Sequence, residues 1–235
     1  MPSARLENGI DGVEASEEEG VNMGVIYTVR SGTRIENEIE IKRSRFITTL
    51  ARTDSSDEAR ALINEVKADN PQARHNCSAF LIQVDGRDPH QHSSDDGEPS
   101  GTAGTPMIDA LRLAGVWNVT AVVTRYFGGI LLGGGGLVRA YSSSVSKALA
   151  LAPKAKLVPL DVLETRVSLA QAGRVEAELR NAGAQILGID WGSEAAIRIG
   201  TLPDSRAIFE AQILALTSGV SQFQMMGTTR VEVDE

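Results

Sequence analysis

The hydrophobic positions of this chain change period several times, and each change marks an element. Residues 25–30, 35–41 and 45–52 partly alternate and are rich in Val, Ile and Thr, with Ser31-Gly32 and Lys42-Arg43-Ser44 between them, which predicts an antiparallel group of strands. Ser55 or Ser56 then serves as an N-cap, with Asp57 and Glu58 in the first turn and Ala59, Leu62, Ile63 and Val66 on one face. This predicts a helix through Ala68 that Asn70-Pro71 ends. A strand over 78–84 follows. Residues 85–104 hold Gly, Pro, Ser, Asp and His with little to bury, and read as a long loop of the kind that is usually functional or mobile. Thr105 as N-cap and Pro106 at the first helical position open a helix carrying Met107, Ile108, Leu111 and Leu113, and Gly115 stops it. The apolar run 119–124 predicts a buried strand, the stretch 125–136 is rich in glycine, and 137–151 reads as a helix.

Pro153 and Pro159 bound a predicted linker, 153–159. Beyond it the pattern reads strand 160–168, helix 171–182, strand 185–191, strand 195–201, helix 203–216 and strand 221–233. That is the order of a split βαβ, or ferredoxin-like, unit, with Gly192-Ser193 as its tight hairpin. Residues 1–23 lack any period and predict a disordered acidic tail, which leaves domains over 24–152 and 160–235. The second domain carries no chemical motif and reads as a packing or recognition unit.

Composition narrows the function classes. With 42% hydrophobic and 23% charged residues, the 235-residue chain can bury a core as an ordinary soluble protein. No apolar run approaches the roughly 20 residues of a membrane helix, and the acidic N-terminus is the reverse of a secretory or transit signal. The expectation is a cytoplasmic protein without membrane contact. Six acidic residues against Arg5 in residues 1–23 supply most of the net charge of −8, so the remainder is nearly balanced and any nucleic-acid contact must be local. Cys77 is the only cysteine, which excludes an internal disulfide and any multi-cysteine zinc site.

Three segments carry candidate chemistry. Gly128, Gly129, Gly133, Gly134, Gly135 and Gly136 lie between a strand and a helix, where backbone N–H groups and the positive helix end suit a phosphate or other anion, with Arg125 and Arg139 flanking. Neither a Walker loop nor a Rossmann fingerprint fits the spacing; the bland alternative is a tight turn with close helix packing. Lys42, Arg43 and Arg45 form a second basic cluster. In the run 93–104, Asp95, Asp96, Glu98, Ser100 and Thr102 have the chemistry to hold magnesium or position water and phosphate, or simply to build a solvated loop. His75 offers a general base, with Ser94 or Ser100 as nucleophile, or a plain hydrogen-bonded side chain at the start of a strand. His90 and His92 with Cys77 would be a metal set, although no zinc spacing is present, and neither a metal nor a cofactor is assigned.

Taken together, Ile41-Lys42-Arg43-Ser44-Arg45-Phe46-Ile47, His75-Asn76-Cys77, the run 94–104 (SDDGEPSGTAG) and the run 124–141 (TRYFGGILLGGGGLVRAY) resemble the YigZ/IMPACT family, also called uncharacterised protein family 0029. The resemblance covers roughly 24–152, and the segment 157–234 is similar in pattern to the family's small bacterial C-terminal domain. It implies an α+β protein: a domain like domain 2 of ribosomal protein S5, followed by a ferredoxin-like domain, both similar to the tip domains of elongation factor G. Eukaryotic relatives act in translational control through an extra N-terminal partner-binding domain, for which this chain has only its acidic tail. Ser78 stands where an aromatic is expected and Leu131 where many relatives have Lys, which makes the loop less cationic.

The leading expectation is a non-enzymatic accessory factor of translation that binds RNA, the ribosome or another protein of the translation machinery. The alternatives are a magnesium-dependent enzyme acting on a nucleotide or phosphorylated small molecule, with Asp95, Asp96 or Glu98 holding the metal, and a protein-binding module with an architectural glycine loop.

Overall fold

The computed structural model describes residues 24–84 and 87–234; the acidic stretch 1–23, expected to be disordered, lies outside them. The chain runs through β1 (Ile26–Val29), β2 (Arg34–Ile41), β3 (Ser44–Arg52), α1 (Ser56–Asp69), β4 (His75–Ile82), β5 (His90–Ser94), α2 (Gly104–Leu113), β6 (Val119–Tyr126) and α3 (Gly134–Leu151). It continues with β7 (Lys154–Val167), α4 (Leu169–Asn181), β8 (Gln185–Trp191), β9 (Ala195–Thr201), α5 (Arg206–Leu216) and β10 (Gln224–Asp234). Two antiparallel sheets with helices packed on them make this an α+β fold.

The first sheet has the order β2-β3-β6-β4-β5. Alternation along β4 sets its layers: Cys77, Ala79 and Leu81 join a core with Met107 and Leu111 of α2 and Tyr141 and Val145 of α3. Phe80 and Ile82 instead meet Ala59, Leu62, Ile63 and Val66 of α1 on the other face. Ser55 caps α1 by accepting a hydrogen bond from the Glu58 N–H. The cap expected at Thr105 is not used; α2 opens two residues earlier, with Ala103 in the cap position, and Asp95 accepts from the N–H groups of Ala103 and Gly104, 8 and 9 residues on.

Three expectations fail for reasons of pairing. Residues 90–94 form an edge strand inside the predicted loop, held by β4 on one side only, and their polar side chains hide the strand from any hydrophobic pattern. The predicted linker is strand: β7 runs unbroken from Lys154 to Val167. Pro159 is tolerated there because it lies between Leu157, the last partner of β1, and Asp161, the first partner of β9, where β7 is paired on one edge only. Finally, β1 does not join β2 and β3 but pairs with β7.

The second sheet is centred on β7, with β10 along one edge and β1 and then β9 along the other, and with β8 outside β9. Val175 and Leu179 of α4 and Phe209 and Ile213 of α5 cover one face, against Leu163, Val167, Ile197 and Ile199. The two sheets are tied by Arg52, whose guanidinium reaches the Val29 carbonyl at 2.9 Å and Glu232 of β10 at 3.0 Å.

Two-residue connection Lys42-Arg43 turns β2 into β3 with φ of 48° and 65°, the primed turn geometry that matches strand twist. The chain leaving β6 passes directly beneath this turn, and a Cβ on Gly128 would overlap the Arg43 carbonyl. Gly128→Ala should therefore cost about 1–3 kcal/mol by overpacking, read as a lower urea midpoint at unchanged slope.

Candidate functional site

The last residues of β6, the 95–104 loop and the start of α3 meet at a cleft of about 380 Å³. Its wall brings together three sequence-predicted sets: His75, Glu98 of the polar loop, and Arg125 with Gly133 and Gly134. Arg74, Phe127 and Leu131 complete the mouth.

Arg125 is the side chain whose role changes most. It is not a free phosphate contact: its side chain is 7% exposed, and it donates to Glu98 at 2.6 Å. The same carboxylate oxygen accepts from the Tyr141 hydroxyl at 2.7 Å. The guanidinium lies between the rings of Phe46 and Phe127, at 5.4 and 5.6 Å, and Phe46 meets Tyr141 edge to face. Its Nε–H is buried without a partner among the described residues. Tyr141 was not singled out from the sequence as a site residue, although it closes the 124–141 run; its hydroxyl is what completes the Glu98 shell.

The carboxylates of the polar loop, which the sequence allows as a magnesium site or as a plain solvated loop, do not converge on one point. Asp95 accepts from the N–H groups of Gly101, Ala103 and Gly104 at 2.8–2.9 Å. Asp96 takes the Lys67 ammonium and the Asn76 N–H, both at 2.7 Å, and Glu98 takes Arg125 and Tyr141. Each is committed in a different direction, and the described residues contain no group of three or more His, Cys, Asp or Glu able to hold a metal. Thr102 donates to the Pro99 carbonyl, and Ser100 is exposed on the loop. Burial opposes ionisation of Asp95, but its three backbone donors outweigh it and hold the carboxyl below its ordinary 3.8.

His75 places Nδ1 2.9 Å from the Asp96 carbonyl oxygen. A carbonyl can only accept, so Nδ1 carries the hydrogen and Nε2 is left as the ring's second polar atom. Neither Ser94 nor Ser100 is bonded to it; Ser94 Oγ accepts from the Asp96 N–H. The His90, His92 and Cys77 set is split by the sheet. Cys77 belongs to the α2–α3 side, where burial pushes its thiol up to about 12 and it donates to the Asp95 carbonyl. His92 stacks on Phe80, part of the α1-side core, and His90 bonds Ser56 at the start of α1.

The exposed cations are distributed around the glycine loop. Arg45 is taken by Glu38 through two hydrogen bonds of 2.7 and 2.8 Å. The side chains of Lys42, Arg43, Arg74 and Arg139 make no ion pair or hydrogen bond among the described residues. Arg139 does not share the cleft with Arg125; with Lys42 it lines a neighbouring cavity of about 610 Å³, and Leu132 separates the two. Arg74 and Phe127 went unnoticed in the sequence reading. The available signal was a cation just before the His-Asn-Cys triplet and one of few aromatics beside the glycine run.

Two consequences follow for stability. Glu98→Ala leaves a buried guanidinium unpaired and should cost about 3–5 kcal/mol, with Glu98→Gln less severe, by chemical unfolding. For Asp95 the folded value is depressed, so its contribution is complete above the ordinary 3.8 and is lost as pH falls through the folded value. Acid titration of stability should thus show a shallower loss in Asp95→Asn, which starts from a lower plateau at neutral pH.

Comparison with known proteins places this arrangement in a family. The family model described as the Impact N-terminal domain matches residues 42–149, the span that holds the cleft. The chain is 39% identical over 183 residues to IMPACT family member YigZ of Escherichia coli (strain K12), covering 78% of this chain and 90% of that protein. It is 37% identical over 198 residues to IMPACT family member YvyE of Bacillus subtilis (strain 168), covering 84% and 90%. A crystal structure of a hypothetical protein, 36% identical, superposes with a TM-score of 0.65 over 87% of this chain and 98% of its own. With that identity spread over both sheets and most of each relative, the chain belongs to the IMPACT family.

Proposed function

We propose that the protein is a non-enzymatic accessory factor of translation that binds RNA, free or on the ribosome, through the cationic rim of its glycine loop. The observation that carries this reading is the Lys42-Arg43 turn. Both residues sit at positive φ, where a non-glycine side chain is disfavoured by about 1–3 kcal/mol each and Asn-Gly would be relaxed. Both side chains are exposed and unpaired among the described residues. Strain of this kind persists where the side chains have work that the fold does not explain.

Arg139 and Arg74 extend the cationic margin on either side of the loop, and exposed Phe127 supplies a flat ring of the type on which an unpaired base stacks. Such a combination suits single-stranded or looped RNA better than a smooth duplex. The row Glu36, Glu38 and Glu40 on the outer face of β2 would repel a phosphate backbone and confines the contact to the turn side. The setting in translation comes from the family resemblance. The helix and strand order β7-α4-β8-β9-α5-β10, with sheet order β10-β7-β9-β8, supports a ferredoxin-like second domain, and the S5-like reading of the first domain goes with it.

Cosedimentation with ribosomes and total RNA across a salt series tests this reading. Wild type should bind in a salt-sensitive way, each phosphate contact contributing about 1 to the logarithmic slope. The double variant Lys42→Asn/Arg43→Gly should lose about tenfold or more in affinity while gaining about 1–2 kcal/mol in stability from the relaxed turn. A variant that sediments with RNA like wild type would remove the basis of the assignment.

A further inference from the structure

Two polar atoms of the cleft keep an unused lone pair. Glu98 takes Arg125 and Tyr141 on the same oxygen, Oε1, and its Oε2 makes no hydrogen bond among the described residues. His75 spends Nδ1 on the Asp96 carbonyl, which leaves Nε2 of the neutral ring as an acceptor. Neither Oε2 nor Nε2 is among the described buried side-chain atoms that lack a partner, so both keep contact with solvent, and both residues line the cleft. The rest of the Glu98 side chain is enclosed, so a donor that meets Oε2 meets a carboxylate largely shielded from water. A site of that kind discriminates steeply against a group that brings no donor.

The neighbouring cavity of about 610 Å³ has the opposite character. Lys42 and Arg139 bring unpaired cations to it, Ser142 and Ser143 add hydroxyls that make no hydrogen bond among the described residues, and no Asp or Glu lines it. It suits an anion. Leu132 belongs to the wall of both cavities, so the donor-lined site and the acceptor-bearing site adjoin across one side chain. Within the cleft, Phe127 is 47% and Leu131 81% exposed, an apolar surface for a planar group. Exposed Arg74 at the mouth repels a cation, so the donors that meet Glu98 and His75 belong to a neutral group. A neutral planar group with two neighbouring donors, tied to an anion, has the chemistry of a guanine nucleotide. Guanine alone among the bases of RNA presents two adjacent donors, N1–H and the 2-amino group, on its Watson–Crick edge; adenine and cytosine pair one amino group with a ring acceptor, and uracil sets one N–H between two carbonyls.

From the two open acceptors, the apolar side of the cleft and the donor-lined cavity next to it, we propose that a guanine nucleotide straddles Leu132. Its base lies in the cleft against Phe127 and Leu131 with its donors on Glu98 Oε2 and His75 Nε2, and its phosphate lies on Lys42 and Arg139. At about 380 Å³ the cleft is at the small end of ligand sites, the scale of one base and its sugar. The inference rests on the RNA-binding reading of the rim and names the base that the rim reads. That base has two sources, a strand of RNA or a free nucleotide.

The test is a titration of the full chain with fluorescently labelled uridine heptamers that carry guanosine, inosine, adenosine or uridine at the centre, and with guanosine and adenosine 5′-monophosphates. The guanosine heptamer should bind about tenfold or more tighter than the adenosine and uridine heptamers, with inosine, which lacks the 2-amino group, in between. Inosine changes only the ligand, so its effect cannot come from a misfolded variant. His75→Ala should remove most of the guanine preference while the uridine heptamer binds as before. Guanosine monophosphate bound as tightly as the guanosine heptamer identifies a free nucleotide; tighter binding of the heptamer identifies RNA. Heptamers bound with equal affinity, or a guanine preference undiminished in His75→Ala, overturns the proposal. Heptamers bound alike whatever their central base, and released in Lys42→Asn/Arg43→Gly, would leave the RNA reading standing without this one. Guanosine monophosphate bound in preference to adenosine monophosphate, where no heptamer binds, would do the reverse.

Discussion

The Arg125–Glu98 ion pair is the contact on which the first sheet and its helices are organised. Two charges withdrawn from water at this depth gain little net stability against an apolar pair, since desolvation offsets most of their attraction. What they add is definition. Glu98 is held by Tyr141 as well, and Arg125 is held between Phe46 and Phe127. A loop, a central strand, a helix and the β2–β3 hairpin are thereby fixed to one another at a single point.

That arrangement separates two tasks among the arginines of the glycine-loop region. Arg125 has its charge spent inside, on Glu98, and shapes the cleft floor. Lys42, Arg43, Arg74 and Arg139 keep theirs at the surface. Although the protein is acidic as a whole, its potential is set locally: the glutamates of β2 lie on one side of the hairpin, and the unpaired cations gather where the backbone is barest. Gly128 allows this closeness, because any side chain there would lift the hairpin off the loop.

The second sheet is joined to the first by more than the covalent chain. β1, which precedes the first sheet in sequence, is built into β7, and Arg52 of β3 reaches across to Glu232 of β10. Movement of one sheet against the other would break these bonds, so the loop and the C-terminal half are mechanically coupled.

Much of this protein was legible in its sequence. The α1 cap and apolar face, the buried β6, the glycine run before α3 and the alternation of strands and helices after residue 160 all follow from signals within a few residues, where period, capping and turn chemistry act. The sequence also singled out His75, Glu98, Arg125 and the glycines as candidates. It did not say that they share a wall, that Arg125 is buried while Arg43 is free, or that Asp95 caps a helix it does not belong to. Nor did it show β5, whose side chains face water, or the strand running through Pro159. Those outcomes depend on partners from 8 residues to many tens of residues away, outside the reach of a local period or turn. A charged side chain carries no local mark of whether it will meet a carboxylate or solvent, and only the packed tertiary structure decides which.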